Sequence, residues 1–269
     1  TTEIYTLSLH DALPICLRLL VGCAGKLPQT LPLSTGEAQE AGKLWDAFLA
    51  GKRPIAVDAD IRLHWNVLGG KGAIGGTLQA QQPALLRFAA ADPLGRSLIL
   101  AVSDGSAFTL VDNRIGHAYQ GRVESKFWRS YVPEAVKPED LLSMLGGFLR
   151  EGDGMSAKAE QDEESGGFWY VWRDAQSISH HVLLDRQNGE MRRHLLVGRQ
   201  GKQVLDLRYS DYQKDAKSGF SWPKELQISG EAVTGDLAIQ VERLYSHKPQ
   251  GAAVYRLTPP VHFTVEQVR

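Results

Sequence analysis

The chain has 269 residues, with 30 basic and 31 acidic side chains and a formal net charge of −1. Near-neutral charge without a Lys/Arg stripe leaves no electrostatic footprint for nucleic acid, and a chain of this size, 43% hydrophobic, can bury a core that needs no disulfide staples. No apolar run reaches the about 18 residues of a membrane helix, while 27 glycines and 6 tryptophans against 3 methionines favour β structure rich in turns.

The first elements are targeting segments. Residues 1–15, TTEIYTLSLHDALPI, resemble a translated sequencing-adapter read-through and are set aside from fold reasoning. Leu20-Val21-Gly22-Cys23, at the end of an apolar run, looks like a bacterial lipobox, in which Cys23 carries lipid and becomes the mature N-terminus. Removing Cys16 with the signal leaves no cysteine in the folded body, which suits an oxidising periplasm. Ala24 stands where an aspartate would retain a lipoprotein in the inner membrane, so the outer membrane is expected. Residues 24–36, with Pro28, Pro32 and Gly36, read as a tether, and 37–269 as one domain.

From residue 37 the spacing is helical: Ala41, Leu44, Trp45, Phe48 and Leu49 form one stripe, ended by Gly51 and Pro54. The period then switches to two. Val57, Ala59, Ile61, Leu63 and Trp65 alternate with polar residues, a half-buried antiparallel strand. Ile74–Ala80, Leu86–Ala90, Leu98–Val102 and Phe108–Leu110 continue the alternation between short turns, one of them Asp92-Pro93-Leu94-Gly95. A second helix is predicted over 138–149, with the stripe Leu141, Leu142, Leu145, Phe148 and Leu149. Residues 151–167, acidic and Gly-rich, read as a surface loop. Strands follow at 168–173, 178–185, 191–198, 203–212, 223–229, 236–246, 253–257 and 263–268. The predicted fold class is mainly β (α+β). A curled antiparallel sheet forms an open half-barrel, with amphipathic helices over its concave apolar face. Such a half-barrel can hold an apolar ligand, and Trp45, Phe48, Trp65, Phe88, Leu141, Leu145 and Phe148 are the candidates to line its cavity.

Catalytic signatures are missing. The chain has no H-E-x-x-H, G-x-S-x-G, Walker A or C-x-x-C pattern. His180 and His181 are adjacent on a strand and point to opposite faces, so they cannot chelate one metal. Phe168-Trp169-Tyr170-Val171-Trp172 is apolar on both faces, which requires cover on both sides or a lipid-facing edge. Phe127, Trp128 and Tyr131 form an aromatic cluster, expected under the second helix. No catalytic residue, metal or cofactor is expected.

The order of these pieces resembles a known family. A lipobox, a short helix, ADIRLHW, the hairpin LLRFAAADPLGRSLILAVSDGSAFTLV and then PEDLLSMLGGFL is similar to the LolB-like outer-membrane lipoproteins, which share a fold with the periplasmic carrier LolA. SWPKELQI and DLAIQVERLY match more loosely, and 151–198 match little beyond strands. The resemblance implies a non-enzymatic monomer, anchored through Cys23 on the periplasmic face of the outer membrane. It implies that acyl chains of a lipoprotein or other lipid pass from a LolA-like carrier into the cavity. It also implies that a protruding loop with an apolar tip, here Leu94, promotes insertion into the bilayer. Two alternatives stay open: the same fold serving another amphiphile or an assembly, and a periplasmic hydrolase using His180 or His64 with nearby carboxylates.

Overall fold

The computed structural model describes residues 27–67, 70–215, 219–231, 233 and 235–269. The adapter-like segment, the lipobox-like Leu20–Cys23 stretch and Gly69 of the first hairpin turn lie outside the described residues.

The first half of the fold is a helix followed by a meander. Helix α1 (Thr35–Ala50) starts two residues earlier than the apolar stripe predicts. Ser34 is its N-cap: the hydroxyl accepts from Glu37 N–H while the Glu37 carboxylate accepts from Ser34 N–H at 3.0 Å, a reciprocal capping box. Six strands follow: β2 (Ala56–Val67), β3 (Gly70–Gln81), β4 (Leu85–Ala91), β5 (Ser97–Ser103), β6 (Ala107–Asp112) and β7 (His117–Arg122). Each pairs antiparallel with the next, and β2 and β3 hold an unbroken register from Ala56 against Gln81 to Val67 against Gly70. Alternation puts Val57, Ala59 and Ile61 in the core and leaves the opposite face to polar pairs such as Arg62–Glu242 at 2.7 Å.

After the one-turn helix α2 (Lys126–Arg129), a 3₁₀ turn at Pro138–Asp140 leads into α3 (Leu141–Gly146). This helix is shorter than predicted because Gly147 adopts the left-handed conformation (φ 65°) and ends it, leaving Phe148 and Leu149 buried just beyond. The second half is another meander: β8 (Lys158–Asp162), β9 (Phe168–Arg173), β10 (Ser179–Leu184), β11 (Met191–Val197), β12 (Gln203–Lys214), β13 (Ser221–Ser229) and β14 (Gly235–Ser246). β14 pairs with β2, which fuses the two meanders into one curled, unclosed sheet. Its edges are β1 (Thr30–Leu31), paired to β8, and β15 (Thr264–Val268), paired to β7.

Several expectations are corrected here. Residues 151–167 are not wholly loop, since 158–162 form β8. Its Lys-Ala-Glu-Gln-Asp sequence has low strand propensity; the strand is held by its ladder to β9, by Trp169 Nε1–H donating to Asp162 at 2.6 Å, and by Thr30 donating to Glu160 at 2.6 Å. Thr30–Leu31, within the predicted tether, therefore belongs to the sheet edge. Residues 252–255 form a 3₁₀ turn rather than a strand, with Tyr255 buried and the Val254 carbonyl accepting from Arg87 at 3.0 Å. The last strand is parallel to its neighbour, because β14 occupies the middle of the sheet and the chain must cross to the free edge at β7. The 127–131 aromatics do not pack under the second helix. Phe127 stacks on Phe108 and Tyr119 (ring centroids 5.7 and 4.9 Å), over β6 and β7.

Candidate functional site

The inner face of the sheet carries two buried apolar clusters. In the first, α1 inserts Ala41 and Trp45 against Phe168, Tyr170 and Trp172 of β9. The Trp45 and Tyr170 rings stack 4.1 Å apart at 14°. The indole N–H donates to the Gly154 carbonyl at 3.1 Å, and the Tyr170 hydroxyl donates to the Ala41 carbonyl at 2.8 Å. Buried polar atoms are thus satisfied, and the helix is clamped at one angle. In the second cluster, Val57, Ala59 and Ile61 of β2 meet Leu142 and Phe148 from α3 and its C-terminal turn, together with Trp222 and Val241. Leu145 and Ile239 pack against both clusters, so the inner apolar surface is continuous across the two halves.

Between α3 and the sheet lies an apolar cavity walled by Ala59, Ile61, Leu145, Trp222, Leu226 and Ile239, with a volume of about 10 Å³. That is room for about one water molecule, far below the about 300–1,000 Å³ of pockets that hold organic ligands. In this conformation the site is closed. A separate cleft of about 270 Å³ lies between the end of α1 and the Phe148–Phe220 edge-to-face pair, with Lys52, Arg53 and Glu190 among its lining. Two larger, open depressions, of about 800 and 710 Å³, mix apolar lining with charged groups, His64, Lys71 and Arg208 in one and Glu139, Arg150 and Glu151 in the other.

The structure brings together only part of the predicted cavity set. Leu145 walls the cavity, Phe148 and Phe48 line the separate 270 Å³ cleft, and Phe88 packs on the second cluster. Trp45 and Leu141 belong to the first cluster, and Trp65 lies on the rim of the 800 Å³ depression, over Gly72. Trp222, Leu226 and Ile239 were not singled out from the sequence. Trp222 precedes the predicted strand by one residue, and the other two are ordinary alternating apolar positions whose shared wall is made by β13–β14 pairing.

The histidines divide between the two faces as their phase requires. His180 faces inward, stacked on Trp172 at 4.8 Å; its Nδ1 lies 3.0 Å from His194 Nε2, and its Nε2 lies 3.6 Å from Asp174. Burial holds the His180 imidazole below the usual histidine range against the pull of Asp174, and holds the fully buried His194 well below it. Both are neutral at pH 7. His194 is a partner that sequence phase alone could not supply. On the other face His181 Nε2 lies 3.1 Å from the Ser179 hydroxyl, so His181 shares no site with the His180–His194 pair. Among the described residues no group of three or more His, Cys, Asp or Glu is arranged to hold a metal. The buried outer-face cluster of Trp169, Leu183, Leu195 and Val197 is capped by the Arg193 guanidinium, 5.9 Å above the Trp169 ring, which accounts for the doubly apolar β9 strand.

Leu94 stands at the tip of the β4–β5 turn with 80% of its surface exposed. Asp92 organises the turn by accepting from the Leu94 and Arg96 N–H groups, both at 2.9 Å. Leu94 contributes nothing to that network through its side chain.

No protein-family model matches the chain, and no curated protein sequence does. Solved structures do resemble it. A DUF1329 family protein from Desulfovibrio piger superposes with a TM-score of 0.55 at 10% identity, over 84% of this chain and 98% of that one. A domain assigned to outer membrane lipoprotein sorting from Vibrio parahaemolyticus gives 0.51 at 10% identity, over 77% and 92%. A LolA superfamily protein from Nitrosomonas europaea gives 0.51 at 8% identity, over 81% and 97%. Identities this low speak to architecture alone, and the architecture of this chain is the LolA-like fold, a large curled sheet left open rather than closed into a barrel.

Proposed function

We propose that this protein is a lipid-anchored, non-enzymatic carrier on the periplasmic face of the outer membrane. It takes acyl chains of lipoproteins or other lipids between α3 and the inner sheet face, receives them from a LolA-like partner, and passes them to the bilayer. The observation that carries this reading is the continuous inner apolar surface, spanned by Leu145 and Ile239 and free of convergent charged groups around its cavity. Cargo opens the site by displacing the short α3 segment, whose left-handed Gly147 is a natural pivot. Cys23 supplies the anchor, and Leu94 leads the β4–β5 turn into the lipid interface; one buried leucine contributes about 1.5–3 kcal/mol there, enough to bias a tethered loop but not to anchor a protein.

A second reading, the same fold serving another amphiphile, is favoured by the cations in the cleft at the end of α1. Lys52 and Arg53, two cations against the one acid Glu190, would meet an anionic head there, and the Trp222 indole N–H in the α3 cavity, without a hydrogen-bond partner among the described residues, would meet a carbonyl. The test is titration of the chain with a fluorescent fatty acid, followed by displacement with a diacylated lipopeptide. Binding and displacement support the carrier; binding without displacement favours the second reading; a folded chain that binds neither overturns both.

A further inference from the structure

The strand pairing brings two turns and one loop to the same end of the sheet. The β4–β5 turn (92–96) and the β6–β7 turn (113–116) lie there because β5 and β6 are adjacent and antiparallel. The chain just before β15 joins them, because β15 runs parallel to β7 and begins beside its first residue, with Thr264 N–H donating to the Gly116 carbonyl at 3.1 Å. The turns are tied to each other. Asn113 N–H donates to the Leu98 carbonyl at 2.9 Å, and the Asn113 side-chain amide donates to the Ser97 hydroxyl at 3.0 Å.

Each of the three segments ends in an apolar side chain that faces solvent: Leu94 is 80% exposed, Ile115 59% and Val261 fully so. The two turns also share one charge arrangement. Asp92 and Asp112 are turned inward, with only 12% and 10% of their side chains exposed, each tied to its own turn. The arginines paired to them, Arg96 and Arg114, project outward at 75% and 56%. The carboxylates are hidden under the backbone, and the guanidiniums form the outermost charge.

We infer that these segments form one bilayer-docking edge, with Leu94, Ile115 and Val261 entering the interface of an anionic membrane while Arg96 and Arg114 meet its phosphates. This rests on the carrier reading and extends it from one leucine to three linked segments. A membrane fits this edge better than a protein does. The two turn tips belong to different hairpins, two strand spacings or about 10 Å apart, and a fluid interface can close around each tip separately. Guanidiniums that stand outside their own carboxylates suit a surface of negative charge.

The test is co-sedimentation of the full, unlipidated chain with vesicles of phosphatidylcholine alone or mixed with phosphatidylglycerol. Ile115→Ser with Val261→Ser, leaving Leu94 intact, should lower partitioning onto the mixed vesicles by about a hundredfold. Arg96→Gln with Arg114→Gln should remove the preference for mixed over neutral vesicles, and added salt should do the same to the parent. Ile115 and Val261 are exposed and make no polar contact, so the apolar pair should keep the parent's unfolding midpoint; the Gln pair loses its ion pairs to Asp92 and Asp112, so its partitioning is compared at a temperature where an unfolding curve shows it folded. Partitioning unchanged in both double variants, or binding that depends on Leu94 alone, overturns the inference, as does a parent chain that binds neither vesicle. Fatty-acid titration run on the same variants separates the two readings, since it fails only if the cavity does not bind amphiphiles.

Discussion

Leu145 decides whether the closed cavity is a lid or a finished core. It packs against both apolar clusters and walls a space of about 10 Å³, so an acyl chain cannot enter until α3 moves. The burial energy of the Leu145 side chain is then part of what a ligand must overcome. Leucine-to-alanine changes in cores cost 2–5 kcal/mol, and the half-buried Leu145 belongs at the low end, about 2 kcal/mol. If the ligand-bound state has already withdrawn this side chain, Leu145→Ala destabilises the closed state and leaves the bound one untouched. The ligand gains what the fold loses: about 2 kcal/mol, or about thirtyfold in apparent affinity. Urea unfolding measures the first quantity, and titration with a fluorescent fatty acid measures the second. Leu145→Met, which conserves volume, should change neither by much. Stability that falls without a gain in affinity would refute this reasoning, because amphiphiles would then enter by a route that leaves α3 in place. A fall in affinity would refute it too, by making Leu145 a wall that the ligand touches.

Stability should depend on pH through the inward histidines. Burial depresses the folded-state values of His194 and His180, so as pH falls the unfolded chain takes up protons first. Their contribution is complete above the unfolded value of about 6.5 and is lost below it; unfolding free energy should drop between about pH 8 and pH 5, and less steeply in His194→Leu. Gly147→Ala should cost about 1–3 kcal/mol in a thermal or urea melt, because φ is 65° and a methyl there would collide with the Tyr212 hydroxyl. Expressed behind a lipoprotein signal peptide in place of residues 1–22, Cys23→Ala should move the protein from the membrane to the soluble fraction of fractionated cells; unchanged membrane association would count against lipidation.

What the sequence determined by itself was local: periods, caps and turns. The two-residue alternation of Val57–Ile61 and of Leu205–Tyr209 can satisfy its backbone and hide its apolar side only as a strand with one face on a core, so β2 and β12 were legible before any partner was known. The α1 stripe was equally plain, while its start at Thr35 needed the Ser34–Glu37 box that the apolar pattern does not show. Leu94 stood out for the same local reason, since a turn built by Asp92 and Gly95 has no use for a leucine. Tertiary structure decided everything that depends on which strands meet. Pairing between β14 and β2 makes one sheet from two meanders, and so sets Ile61, Ile239 and Leu226 around one cavity. Pairing between β10 and β11 brings His194 to His180, and the ladder from β9 turns the polar 158–162 segment into a strand. The parallel β15 edge, which sets Val261 beside the Ile115 turn, has the same origin. The physical reason is that periodicity reports which side of an element is buried, whereas the identity of what buries it is set by contacts between residues far apart in the chain, whose energies a single sequence does not display.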